Sequence, residues 1–164
     1  MKLFVAAVLL GSAACAYAAA PGDTAVEVNL THEVAAPPAK VWAAVGDSGL
    51  AMLVPDFVER VDVKGSGVGL ERTLHLPGGG AVREHIVARD DAAMTYSYAI
   101  VDFGPVPWLE CTATWSVRAA ANGKSLVTYR ARIVPRDAAT KAEARSISER
   151  NQAAVFAQLD RLFR

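Results

Sequence analysis

Arg72 and Glu84 each interrupt a row of apolar residues at alternate positions. Leu70, Leu74 and Leu76 flank the arginine, and Val82 and Ile86 flank the glutamate. Alternate residues of a strand share a face, so the pattern sets a guanidinium and a carboxylate on faces otherwise suited to burial. A third row, Met94, Tyr96, Tyr98 and Ile100, adds two phenols. A fourth, Leu109, Cys111, Ala113, Trp115 and Val117, is opposed by Glu110, Thr112, Thr114 and Ser116. An ordinary core rejects unpaired charge, so these rows point to a lined cavity. Arginine offers a forked donor and glutamate an acceptor. They can orient a carboxylate, hydroxyl or carbonyl of an apolar ligand, or they can form a mutually satisfied ion pair; both readings stand at this point.

The elements that must position these side chains follow from the same periodicity. Val26, Val28, Leu30, His32 and Val34 alternate with Glu27, Asn29, Thr31 and Glu33, which predicts a first strand with one buried face. Ala36-Pro37-Pro38 stops it and opens a short helix to Val45. Gly46-Asp47 ends that helix, and a second short helix is expected over 48–53, closed by Pro55. Strands are then predicted at about 58–64, 70–76, 81–89, 94–101, 108–118 and 125–134, with turns at Pro77-Gly78-Gly79-Gly80 and Asp90-Asp91. In the seventh strand Val127, Tyr129, Ala131 and Ile133 form the apolar face. From about Ala138 the period becomes helical, with Ala144, Ile147, Asn151, Val155, Leu159 and Leu162 in one stripe. Asn151 is its polar member, placed either towards the cavity or half exposed.

The N-terminus reads as an export signal over 1–18. Lys2 is the basic region, Leu3 to Leu10 the apolar region and Ala16-Tyr17-Ala18 the cleavage site. The apolar run is about half the ~20 residues of a spanning helix, so no transmembrane segment is expected. Lipid attachment at Cys15 is the competing reading, and Ser12 stands where a lipoprotein signal normally has leucine. A linker over 19–24 leads to one domain over 25–164, in a periplasmic or secreted location. The chain has two cysteines, so only Cys111 remains after processing and no internal disulfide is expected. Seventeen basic residues balance seventeen acidic ones, without a basic cluster interleaved with aromatics, which excludes nucleic acid as the expected partner.

The remaining polar signals carry little chemistry. His32 falls inward by alternation and His75 and His85 outward, and none has metal-ligand spacing; no metal or cofactor is expected. Gly65-Ser66-Gly67-Val68-Gly69 lacks the lysine-serine pair of a phosphate loop and leads into a strand, so it reads as a hairpin loop. Cys111 sits on an apolar face as a small hydrophobe.

The element order, with Gly67-Val68-Gly69-Leu70-Glu71-Arg72-Thr73-Leu74, Pro77-Gly78-Gly79-Gly80 and Tyr96-Ser97-Tyr98-Ala99-Ile100-Val101, resembles the START-like (SRPBCC) superfamily. That superfamily includes polyketide cyclase/dehydrase-like proteins, Bet v 1-like pollen allergens and abscisic-acid receptors. The resemblance implies an α+β helix-grip fold: a seven-stranded curved antiparallel sheet around a long C-terminal helix, with two short helices between strands 1 and 2. It looks closest to a bacterial exported branch of accessory proteins in periplasmic alcohol oxidation; family members often carry Trp-His-Pro where this chain reads Met52-Leu53-Val54-Pro55. By resemblance Glu84 corresponds to a ligand-contacting glutamate of the abscisic-acid receptors, and Tyr96 and Tyr98 to cavity-lining tyrosines of the pollen allergens.

These readings imply a carrier or sensor with a cavity of a few hundred Å³. Its expected ligand contacts are Arg72, Leu74, Leu76, Val82, Glu84, Ile86, Tyr96, Tyr98, Ile100, Cys111, Ala113, Trp115, Tyr129, Asn151 and Val155. The rival is a cyclase/dehydratase-type enzyme with Glu84 as general acid or base, Arg72 polarising a carbonyl and Tyr96 or Tyr98 donating a proton. That chemistry needs a raised carboxyl pKa, and Arg72 is expected to oppose it. A third reading is an interaction module for a periplasmic partner protein, which uses its outer surface.

Overall fold

Each predicted strand is present, and the seven pair in one antiparallel sheet of order β1-β7-β6-β5-β4-β3-β2. The computed structural model describes residues 24–46 and 57–164; the export signal expected over 1–18, most of the linker expected over 19–24 and the second short helix expected over 48–53 lie outside them. The strands are β1 Val26–Val34, β2 Arg60–Lys64, β3 Glu71–His75, β4 Ala81–Asp90, β5 Thr95–Asp102, β6 Trp108–Ala119 and β7 Ser125–Pro135. Helix α1, Pro38–Val45, starts on a proline whose fixed φ suits a first turn, and buries Val41 and Val45. A single 3₁₀ turn at Ala138–Thr140 leads into α2, Lys141–Leu162.

The turns follow from local chemistry. Gly78, Gly79 and Gly80 all have positive φ, which only glycine adopts without strain, and they reverse the chain between β3 and β4. Gly104, at φ 50°, approaches the sheet so closely that a Cβ there would lie 2.1 Å from the Ala81 carbonyl oxygen.

Three bulges shape the sheet. The pairing skips Val87 between Ile86↔Tyr98 and Ala88↔Ser97, Val101 between Arg83↔Asp102 and Glu84↔Ile100, and Leu109 between Trp108↔Pro135 and Glu110↔Val134. Each skipped residue is apolar and about half exposed (51%, 47% and 55%), so the bulges explain these exposed side chains. The last one corrects the predicted fourth row: Leu109 faces solvent, and Trp108 takes the inward place at 7% exposure. Cys111, Ala113, Trp115 and Val117 keep theirs.

Helix α2 packs against β1 and β7. Its buried residues are Ala144, Ser148, Gln152, Val155, Phe156 and Leu159, so the stripe is rotated from the one that hydropathy predicts. Ile147 and Asn151 flank this face, and Leu162 is exposed. The reason is that Ser148 and Gln152, four and eight residues after Ala144 and so on its face, look solvent-facing by type yet turn towards the sheet. His32 stacks on Phe156 with ring centroids 4.9 Å apart, and its Nε2 lies 2.9 Å from Asp160 Oδ1, which joins β1 to the end of α2.

Candidate functional site

The register makes Arg72 on β3 and Glu84 on β4 direct cross-strand partners. Both face inward and both are buried, at 2% and 4% exposure. Arg72 Nε lies 2.6 Å from Glu84 Oε1, an ion pair by distance in which the N–H is not aimed along the contact. The guanidinium also lies 5.4 Å from the ring centroid of Tyr96 and 5.6 Å from that of Tyr98. Two electron-rich ring faces thus support the cation where water does not reach.

Burial outweighs the neighbouring cation at Glu84. It raises the carboxyl above its ordinary value of 4.5, although the charge and contact of Arg72 pull the other way. Arg72 opposes the rise, as expected from the sequence, and burial is the larger of the two influences. Arg72 itself stays protonated: burial opposes its charge, but Tyr96 and Glu84 more than offset that. Burial also raises the hydroxyls of Tyr98 and Tyr129 well above the usual tyrosine range, so both are neutral at physiological pH. Their oxygens stand 3.5 Å apart.

A cavity of about 120 Å³ opens beside this group, between the sheet and α2. It is smaller than the few hundred Å³ expected from the sequence. Phe57, Val58, Leu74, Leu76, Val82, Ile100, Val106 and Ile147 give it apolar walls; Tyr98, Trp108 and Tyr129 add rings. Glu84, Ser148, Asn151 and Gln152 are its polar lining. Four buried polar atoms of these residues have no aligned hydrogen-bond partner: Glu84 Oε1, Trp108 Nε1, Ser148 Oγ and Gln152 Oε1. Buried polar atoms are normally satisfied, so this concentration in one cavity is informative.

Of the residues singled out from sequence, Leu74, Leu76, Val82, Glu84, Tyr98, Ile100, Tyr129 and Asn151 line the cavity. Arg72 lies behind it, against Glu84 and the two tyrosines. Ile86, Tyr96, Cys111, Ala113, Trp115 and Val155 belong to the packed core and are not among the lining residues. Sequence reasoning missed Phe57, Val58, Val106, Trp108, Ile147, Ser148 and Gln152 as lining. The available signal was the i, i+4 spacing of Ser148 and Gln152 beside Ala144; the bulge that turns Trp108 inward leaves no mark on alternation. Among the described residues no three His, Cys, Asp or Glu side chains gather as a metal site.

A curved seven-stranded antiparallel sheet that grips a C-terminal helix around an apolar cavity defines the Bet v 1-like helix-grip class. Residues 25–164 match the model of the family described as polyketide cyclase / dehydrase and lipid transport, and the chain belongs to that family. Solved structures agree on the fold. The protein XoxI from Bacillus cereus is 22% identical with a TM-score of 0.70, covering 84% of this chain and 94% of its own. Ara h 8.0201 is 20% identical (TM-score 0.71; 85% and 97% covered). Truncated norcoclaurine synthase from Thalictrum flavum is 18% identical (TM-score 0.69; 84% and 92% covered). Among curated proteins none matches this chain. No helix among the described residues is long and apolar enough to cross a membrane.

Proposed function

We propose that the protein binds a small, mainly apolar molecule of about one ring's size that carries a hydroxyl or amino group. The observation that carries this reading is the convergence on one apolar cavity of three polar side chains whose buried atoms lack a hydrogen-bond partner, Trp108, Ser148 and Gln152, beside a Glu84 whose nearby charge is Arg72. A dry cavity of about 150 Å³ holds a benzene ring, and about 120 Å³ is of the same order. Glu84 and Gln152 present acceptors to a ligand hydroxyl or amine, and the Trp108 indole N–H presents a donor to its oxygen. Export rests on the pattern of residues 1–18, which supports a periplasmic or secreted carrier or sensor.

The test is displacement of a cavity-bound fluorophore by matched pairs, such as a cresol against toluene. The hydroxylated member should bind about tenfold tighter, the equivalent of one good hydrogen bond. If no member of either kind displaces the probe, the reading fails.

One observation favours a second reading, a cyclase- or dehydratase-type enzyme: burial raises the Glu84 carboxyl in the direction that a general acid requires. Turnover of an aromatic or polyketide-like substrate that is lost in a folded Glu84→Gln variant would establish it.

A further inference from the structure

The face of the sheet turned away from the cavity carries a groove of about 240 Å³. Thr95 of β5, Ser116 of β6 and Thr128 of β7 form one row across its floor, since Thr95 pairs with Ser116 and Ser116 with Thr128. Arg130 stands beyond one side of that row, paired with Thr114, and Arg118 beyond the other, paired with Leu126. Both arginines line the groove. They stand two residue pairs to either side of the row, about 7 Å along the strands each way.

Two features distinguish this groove from an ordinary polar sheet face. Thr128 is 4% exposed and its hydroxyl, buried in the groove floor, has no hydrogen-bond partner. The acidic groups of this face are engaged elsewhere. Glu33 holds Lys124 at 2.6 Å, Glu110 and Glu27 hold Arg132 at 3.2 and 3.9 Å, and Asp90 accepts from the Ala93 amide at 2.9 Å. Arg118 and Arg130 take part in no ion pair among the described residues. Of the floor hydroxyls, Thr95 donates to the Trp115 carbonyl and Thr114 is engaged with Ser97, which leaves those of Ser116 and Thr128.

We propose that this groove is an anion site for a tetrahedral oxyanion, a phosphate or sulfate group. Two guanidinium forks and two free hydroxyl donors supply more hydrogen bonds than a carboxylate accepts from one side, and match an oxyanion with several acceptor oxygens. The site lies on the opposite face of the sheet from the cavity and shares no lining residue with it. The phosphate can be free in solution or carried on a lipid headgroup; the chemistry of recognition is the same.

The experiment is an amide NMR titration of the full chain with sodium phosphate and with sodium sulfate, at ionic strength held constant with sodium chloride. Saturable shifts centred on Ser116, Arg118, Thr128 and Arg130 are expected. Arg118→Gln and Arg130→Gln should each weaken binding about tenfold, Thr128→Val should weaken it less, and the double arginine variant should abolish it. All are exposed or groove positions, and an unchanged dispersion of amide resonances away from the groove certifies the fold of each variant. Sedimentation with phosphatidic acid vesicles then separates the sources. Capture that the double arginine variant loses assigns a lipid headgroup, whereas phosphate saturation without such capture assigns a soluble anion. Shifts that track ionic strength alone, or that persist unchanged in the double variant, would overturn the proposal.

Discussion

Removing one member of the Arg72–Glu84 pair tests the face assignments, the electrostatics and the cavity at once. Two unit charges about 4 Å apart at an effective dielectric of about 20 attract by about 4 kcal/mol, and breaking a buried pair on one side costs about 3–5 kcal/mol. Both side chains are almost fully buried, so little of that cost is relieved by solvent. The two single variants should nevertheless differ. In Glu84→Gln the guanidinium keeps its two tyrosine faces and gains an amide oxygen as acceptor, which places the loss near the lower end of the range. In Arg72→Met the carboxylate has no cation and takes up a proton instead, so its loss should depend on pH. The sign follows from linkage. A folded-state pKa above the unfolded value of about 4.5 means that the native state binds more protons, so stability falls as pH rises from there through the folded pKa. The Arg72→Met variant should therefore recover stability in acid. Replacing both residues, Arg72→Met with Glu84→Leu, should cost far less than the two single losses added together. Urea denaturation of the four proteins at two pH values gives the coupling energy directly. A coupling near zero, or single variants as stable as the parent, would refute the buried-pair reasoning.

Other consequences are quicker to check. Burial pushes the Cys111 thiol up to about 12, with Glu84 adding to the shift, so in a Cys15→Ser background this thiol should resist a thiol-specific chromogenic reagent until the protein is unfolded. Gly104→Ala should lose more than about 2 kcal/mol of stability, beyond the usual range for a surface change, because its Cβ meets the Ala81 oxygen at 2.1 Å and φ is positive; a thermal melt within a degree of the parent would contradict this. Trp108→Phe keeps the ring and removes the unpartnered indole N–H, so fluorophore displacement should show weaker binding of hydroxylated ligands by up to about tenfold and unchanged binding of purely apolar ones.

Strands and their inward faces were legible wherever alternation ran uninterrupted. Arg72 with Glu84 is the clearest instance: each sat alone in an apolar row, and a short glycine turn between the rows brought them into register. Bulges were not legible, because an inserted apolar residue such as Leu109 extends a hydrophobic run without any sign that pairing has skipped it. The cavity was half legible for a related reason. Hydropathy finds walls, so Leu74, Val82 and Ile100 were found; it cannot separate a wall from packed core, so Ala113 and Val155 were grouped with them. On α2 the same measure pointed away from Ser148 and Gln152, the polar residues that the cavity leaves unpartnered.

Those two residues bear on which function the fold performs. An acid catalyst and a ligand acceptor make opposite demands on Glu84: the first needs a proton to give, the second a lone pair to offer. Burial favours the protonated form, while the guanidinium at 2.6 Å favours the carboxylate. Filling the cavity removes any remaining water and adds to the first influence. A ligand hydroxyl donating to Glu84 adds to the second. On the proposed reading, a bound molecule would therefore select the protonation state of Glu84 through its own donor or acceptor character. Ser148 can donate or accept and lines the same cavity, so it can serve a ligand in either case. A donor ligand would then be held by an ionised Glu84, whereas a carbonyl ligand would need a protonated one, which is the arrangement that proton transfer to a carbonyl requires.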